Sequence, residues 1–152
     1  MEKYIKRVAV VGDREIGPDS PVMYHLDMLF KDRMNSVVIM SGGSRGVDKL
    51  VQQFAEDNGI GFILFKPYHL IDTKMEYKPR FFFTRNKQIV DNSDEVIVFT
   101  VEGYELDGGV RDIIRYAKKR KKELLIIDIP REYLSPETIE ALEGESQEER
   151  SN

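Results

Sequence analysis

The chain has 152 residues, 41% of them hydrophobic and 33% charged, with a formal net charge of −4. That length and composition describe one globular domain able to bury an ordinary core, and they exclude a disordered segment. With no cysteine and only two histidines, disulfides, thiolate nucleophiles, and metal centres built from cysteine or several histidines are excluded as well.

No apolar run is long enough to span a bilayer, so no membrane partner is expected. Met1 to Arg7 is too charged for a secretion signal, which leaves a cytoplasmic location. The acidic balance disfavours nucleic acid as a partner.

Lys6 to Val11 reads as a first strand with a buried run Val8–Val11, ending in the turn Gly12-Asp13-Arg14. Gly17, Pro18, Ser20 and Pro21 mark a loop, and Ser20 caps a helix with Pro21 at its first position. That helix presents Val22, Leu26, Leu29 and Phe30, and His25 on it is a packing or surface residue. Val37 to Met40 then run straight into Ser41-Gly42-Gly43. After Gly46, Val47, Leu50, Val51, Phe54 and Ala55 recur at helical spacing. This is a buried strand, a glycine turn and an amphipathic helix that stops at Asn58-Gly59. Glycines suit such a turn, and the free N–H groups of a helix start form an anion site. Arg45 adds a planar donor fork suited to phosphate. The spacing is neither G-x-G-x-x-G nor a P-loop, so neither a nicotinamide dinucleotide nor an ATPase is indicated.

Ile60 to Phe65 gives a third strand. Lys66 to Arg80 is a long irregular stretch, a binding loop or a surface loop pinned by its own aromatics. Phe81 to Phe83 open the next helix, in which Arg85 and Asn86 point toward the turns. Val96 to Thr100 is the fourth strand. A polar loop, 102–107, leads to Gly108-Gly109 and a helix marked by Val110, Ile113, Ile114 and Ala117. Leu124 to Ile129 is the fifth strand, and Ser135-Pro136 start a short helix. Residues 1–143 form the domain, and residues 144–152 form a polar, flexible tail.

Five alternations of strand and helix give an α/β fold, a doubly wound, mostly parallel five-stranded Rossmann-like sheet. In such sheets ligands bind beyond the carboxyl ends of the strands. The turns Gly12–Arg14, Ser41–Gly46 and Asp107–Arg111 all fall at that edge. Asp48, in the first turn of the second helix, is suited to a ribose hydroxyl or to the Gly12–Arg14 turn.

These motifs occur in one order: G-D-R, S-G-G-x-R-G-x-D, R-N-K-Q-I-V and a late G-G. The order resembles the SLOG superfamily of Rossmann-like nucleotide-binding proteins, and most of all its YspA-type branch related to YpsA. The superfamily also holds the cytokinin-activating phosphoribohydrolases and the DNA-processing protein DprA. The resemblance implies a ligand site made of Gly12, Asp13, Arg14, Ser41, Gly42, Gly43, Arg45, Gly46, Asp48, Arg85, Asn86, Gly108 and Gly109. It implies a small-molecule nucleotide ligand, no added cofactor or metal, and a chain that can pair as a homodimer. A DprA-like nucleic-acid partner is disfavoured by acidity.

Two departures bear on catalysis. Asp13 stands where the family has serine. The phosphoribohydrolases carry a glutamate where this chain has Ile113, with Asp112 one residue early and so rotated by about 100° on a helix. Binding of a nucleotide or nucleotide derivative is therefore the first expectation. Hydrolysis of the N-glycosidic bond of a nucleoside monophosphate is the alternative, for which Arg85, Asp13, Asp48 and Asp112 are the catalytic candidates.

Overall fold

The computed structural model describes residues 4–72, 74–104 and 107–151. Five strands form its sheet: β1 (Lys6–Gly12), β2 (Val37–Ser41), β3 (Gly61–Leu64), β4 (Glu95–Val101) and β5 (Glu123–Ile129). Their order is β3-β2-β1-β4-β5, and every neighbouring pair is parallel. Helices α1 (Val22–Phe30), α2 (Val47–Asp57), α3 (Tyr68–Ile71), α4 (Arg80–Asp91), α5 (Gly108–Lys119) and α6 (Pro136–Ser151) complete the order.

Alternate residues of the central strands serve opposite faces. Val8 and Val10 join Leu26 and Phe30 of α1 and Val51 and Phe54 of α2 in one core. Ala9 and Val11 join Ile89 and Val90 of α4 and Ile113 and Ile114 of α5 in the other. This two-sided burial is why β1 and β4 read as continuous apolar runs. β3 and β5 are edge strands, and Ile63, Leu125 and Ile126 stay exposed there. The chain winds outward from β1 in both directions, so the strand order reverses at β1. Crevices open at such a reversal, beyond the carboxyl ends.

Three segments differ from expectation. The stretch 66–80, read as irregular, contains the one-turn helix α3, which a four-residue apolar run does not announce. His69 holds that stretch together, with its ring edge-on to Tyr77 and Phe82 and stacked on Phe81. The final helix is longer than the short one expected and runs to Ser151, so the polar stretch after Glu143 lies within it. Ser20 stands one place before the helix boundary residue Pro21, and its Oγ accepts only a long 3.5 Å bond from the Val22 N–H. Residues 105 and 106 of the expected 102–107 loop, and Asn152, lie outside the described residues.

The amino ends of the strands carry a charge cluster that ties β1 to β4. Glu95, 7% exposed, accepts from Arg33 at 3.0 Å and from Lys6 at 3.1 Å. Burial pushes its carboxyl up, but the bonds from Arg33 and Lys6 outweigh this and hold it below the ordinary value. A depressed carboxylate contributes stability above its unfolded pKa and loses it as pH falls through the folded one. Glu95→Ala should therefore cost about 1–3 kcal/mol at pH 7 and far less at pH 3, as read by urea unfolding. An equal cost at both pH values would assign the loss to packing instead.

Candidate functional site

The Gly42–Gly46 turn is shaped by what crowds it. Gly46 has φ 76°, and a Cβ there would lie 2.6 Å from the carbonyl oxygens of Asp13 and Arg14. Only glycine lets the β1 turn and the α2 start approach this closely. A Cβ on Gly42 would sit 3.0 Å from the Arg85 guanidinium, whose Nη1 donates to the Gly42 carbonyl at 2.8 Å. Arg85 is 8% exposed, its Nε donates to Asn86 Oδ1 at 3.1 Å, and its guanidinium lies over the Phe82 ring. The arginine from α4 is thus locked against the turn from β2, 43 residues earlier in the chain.

Three N–H groups of this region have partners inside the fold. Asp48, 4% exposed, accepts from Gly12 N–H at 3.3 Å and from Ser44 N–H at 3.2 Å. The Val47 N–H donates to the Asp13 carbonyl at 3.3 Å. The helix start was expected to present free N–H groups to an anion. Instead, the Asp48 carboxylate takes two N–H groups of the adjoining turns, and the Asp13 carbonyl takes the first of α2. Of the two roles read for Asp48, its bond to Gly12 fits the one that braces the Gly12–Arg14 turn. Burial pushes Asp48 up to about 6, against the pull of the Ser44 N–H and the Arg85 charge.

Asp13 is also buried. Its Oδ1 accepts the Glu15 N–H at 2.8 Å, and burial raises its pKa. Asp13 Oδ2 and Ser41 Oγ are buried without a partner among the described residues. Gly12, Asp13, Ser41 and Asp48 therefore lie behind the surface as supports of the turns.

In front of them opens a cleft of about 720 Å³. Of the residues read from the sequence, Arg14, Gly42, Gly43, Arg45, Arg85, Asn86, Gly108 and Gly109 line it, and Gly46 lines a neighbouring cavity. Lys49, which the sequence reading did not consider, lines the cleft too, as do Lys66 and Tyr77 of the stretch read as a binding or surface loop, and Phe82 and Phe83, for which packing was the expected use. Lys49 could have been found, since it follows Asp48 on the first turn of α2. The aromatics could not be placed while 66–80 had no assigned shape. Asp107 is the only carboxylate in the lining among the described residues. Ile113, at the position of the phosphoribohydrolase glutamate, is buried in the core. Asp112 accepts a 3.4 Å bond from Asn86.

This geometry can be set beside known proteins. Over residues 6–69 the chain matches the YAcAr family, the YspA, cpYpsA-related SLOG family. The SLOG resemblance read from the glycine turns therefore holds over that stretch. No curated protein matches the sequence. Among solved structures, the chain is similar to DNA processing protein A from Helicobacter pylori, described for its single-stranded DNA binding mode. The identity is 24% and the TM-score 0.64, over 93% of this chain and 73% of that one. It is also similar to DprA from Streptococcus pneumoniae, with 19% identity and a TM-score of 0.52 over 80% of this chain and 58% of that one. These likenesses show the Rossmann-like α/β fold.

They also correct the expected partner. A small-molecule ligand, with nucleic acid set aside for acidity, does not stand when the same fold serves a protein described as binding single-stranded DNA. The reason is local. A net charge of −4 is a sum over the whole chain, whereas a ligand meets the field of one cleft. This cleft gathers Arg14, Arg45, Lys49, Lys66 and Arg85 against Asp107. No helix among the described residues is long and apolar enough to cross a bilayer.

Proposed function

We propose that the cleft at the carboxyl edge of the sheet binds single-stranded nucleic acid, one nucleotide unit of which enters it. The observation that carries this reading is the segregation of its walls. Arg14, Arg45, Lys49 and Arg85 stand around the glycine turn, and Tyr77, Phe82 and Phe83 stand along α4 and the segment before it. Tyr77 is 60% exposed and Phe83 47%, so both rings are open to a flat apolar partner. Cations track a phosphate backbone, and aromatic faces take bases with little regard to sequence. The match to a SLOG family supports a nucleotide as the unit recognised. Hydrolysis is not proposed. Among the described residues Asp107 is the only carboxylate of the lining, while Asp13 and Asp48 lie buried behind the turn.

The test is fluorescence anisotropy of a labelled thymidine 10-mer against the purified chain. Binding should be tighter than to a duplex of the same length. It should weaken with salt at a slope of about −2 in log–log form, as expected when about three phosphates are neutralised on a single strand. No binding at low salt, or equal binding to duplex, would overturn the reading.

A further inference from the structure

The cations at the glycine turn face two cavities. A second cavity, of about 360 Å³, lies on the far side of Arg14, Arg45 and Lys49, and those three residues line both spaces. All three are exposed. Arg45 is paired with Glu15, while Arg14 and Lys49 form no ion pair among the described residues. A cationic ridge with a hollow on each side does not suit a terminal phosphate, which carries one nucleoside. It suits a phosphodiester, which carries two.

Resting on the reading of the cleft as a site for single-stranded nucleic acid, we infer that the ridge holds an internal phosphodiester and that the second cavity is the subsite of the neighbouring nucleoside. The lining of that cavity fits a nucleoside better than another phosphate. Pro18 and Leu50 supply apolar surface. Glu15 and Glu137 would repel a second anion and can accept from base amino groups. Glu15 is held in place from behind, since Thr138 Oγ1 donates to it at 3.0 Å and Ser135 Oγ at 3.4 Å. The start of α6 thereby forms one wall of the subsite. Among the described residues no aromatic lines this cavity, so the second nucleoside is held by shape and by its shared phosphate, without stacking.

Charge alone predicts the opposite order of affinities from this arrangement. Thymidine monophosphate carries nearly two charges and one nucleoside. The dinucleotide dTpdT carries one charge and two nucleosides. Titration calorimetry should show dTpdT binding at least tenfold more tightly than thymidine monophosphate. Gly17 lines the second cavity, and a Cβ there would meet only the Tyr133 carbonyl oxygen at 3.7 Å, so a side chain can be added. Gly17→Leu should bring dTpdT down to the monophosphate level. Glu137→Lys should strengthen a thymidine tetramer severalfold more than it strengthens the monophosphate, because it replaces a carboxylate of the subsite with a cation. If neither the monophosphate nor any oligomer binds, the nucleic-acid reading itself fails. If the monophosphate binds and dTpdT binds no more tightly, the second subsite fails while that reading survives. A dTpdT advantage untouched by Gly17→Leu would also sink the inference, since the second nucleoside would then lie elsewhere.

Discussion

Arg85→Met should weaken binding of a single-stranded thymidine oligomer by about 10–100-fold, the largest loss expected from any one side chain of the cleft. A charge-assisted bond is worth about 1.5–3 kcal/mol. Most cations of the cleft are exposed and individually worth less. Arg85 differs because it is buried and already fixed. One of its nitrogens holds the Gly42 carbonyl, another holds Asn86, and its plane lies over Phe82. Little side-chain entropy is left to lose when a phosphate arrives. Burial lowers its pKa and the Asp48 charge raises it, yet an arginine stays protonated at any working pH. Arg85→Lys should recover only part of the loss, since a point charge cannot keep the Gly42 and Asn86 bonds and meet a phosphate together. The salt slope should fall by about 0.7 in the Met variant, one phosphate contact on a single strand. Thermal melts of both variants separate lost binding from lost fold. Unchanged affinity in a folded Arg85→Met chain would make Arg85 a strut of the Gly42 turn and nothing more.

What the sequence discloses about this site follows from how local each signal is. The passage from Val37 to Leu50 is legible because strand, glycine turn and helix are adjacent in the chain, and each has its own period or residue type. The five alternations give the fold class for the same reason. The strand order is not local, and neither is the pairing of Arg85 with Gly42 across 43 residues. Asp48 illustrates the limit well. Its place in the first turn of α2 suggests a ribose contact or a brace for the Gly12–Arg14 turn and does not choose between them. Only the closeness of β1 and β2 turns it into an acceptor for Gly12 and Ser44. The aromatic wall is illegible for another reason. Tyr77 and Phe82 acquire a direction from the ring of His69 and from the short α3, features with no periodic signature. Whole-chain charge misleads because it sums over the entire surface, whereas the lining of the cleft sets five cations against Asp107. Of the two charge clusters on the sheet, the one at Glu95 braces the amino ends of the strands, and the cations at the glycine turn face the cleft.

Asp48 should make the protein less stable as pH rises through 6, the reverse of an ordinary paired carboxylate. It is 4% exposed, and burial pushes it up to about 6 even though Ser44 and Gly12 donate to it and Arg85 is near. An unfolded aspartate titrates near 3.9. The native state therefore binds more protons than the unfolded state between those two values. Stability from this group is fully present below about 3.9 and is lost as pH rises through about 6, a change of about 3 kcal/mol. Glu15, Glu95 and Asp94 run the other way, with their values lowered, and mask the effect in the wild type at low pH. A comparison with Asp48→Asn removes that background, because asparagine does not titrate. The stability of wild type minus that of Asp48→Asn, from urea unfolding, should grow by about 2–3 kcal/mol between pH 8 and pH 4. Binding should follow in the same direction. A phosphodiester keeps its charge throughout, so neutralising the carboxylate behind the glycine turn should tighten a thymidine oligomer severalfold between pH 7 and pH 5, and the Asn variant should lack that rise. A flat difference in stability, or one that grows toward high pH, would mean that the two N–H groups and Arg85 keep Asp48 ionised. Asp48 would then act as a permanent internal anion that fills the turn in place of a phosphate.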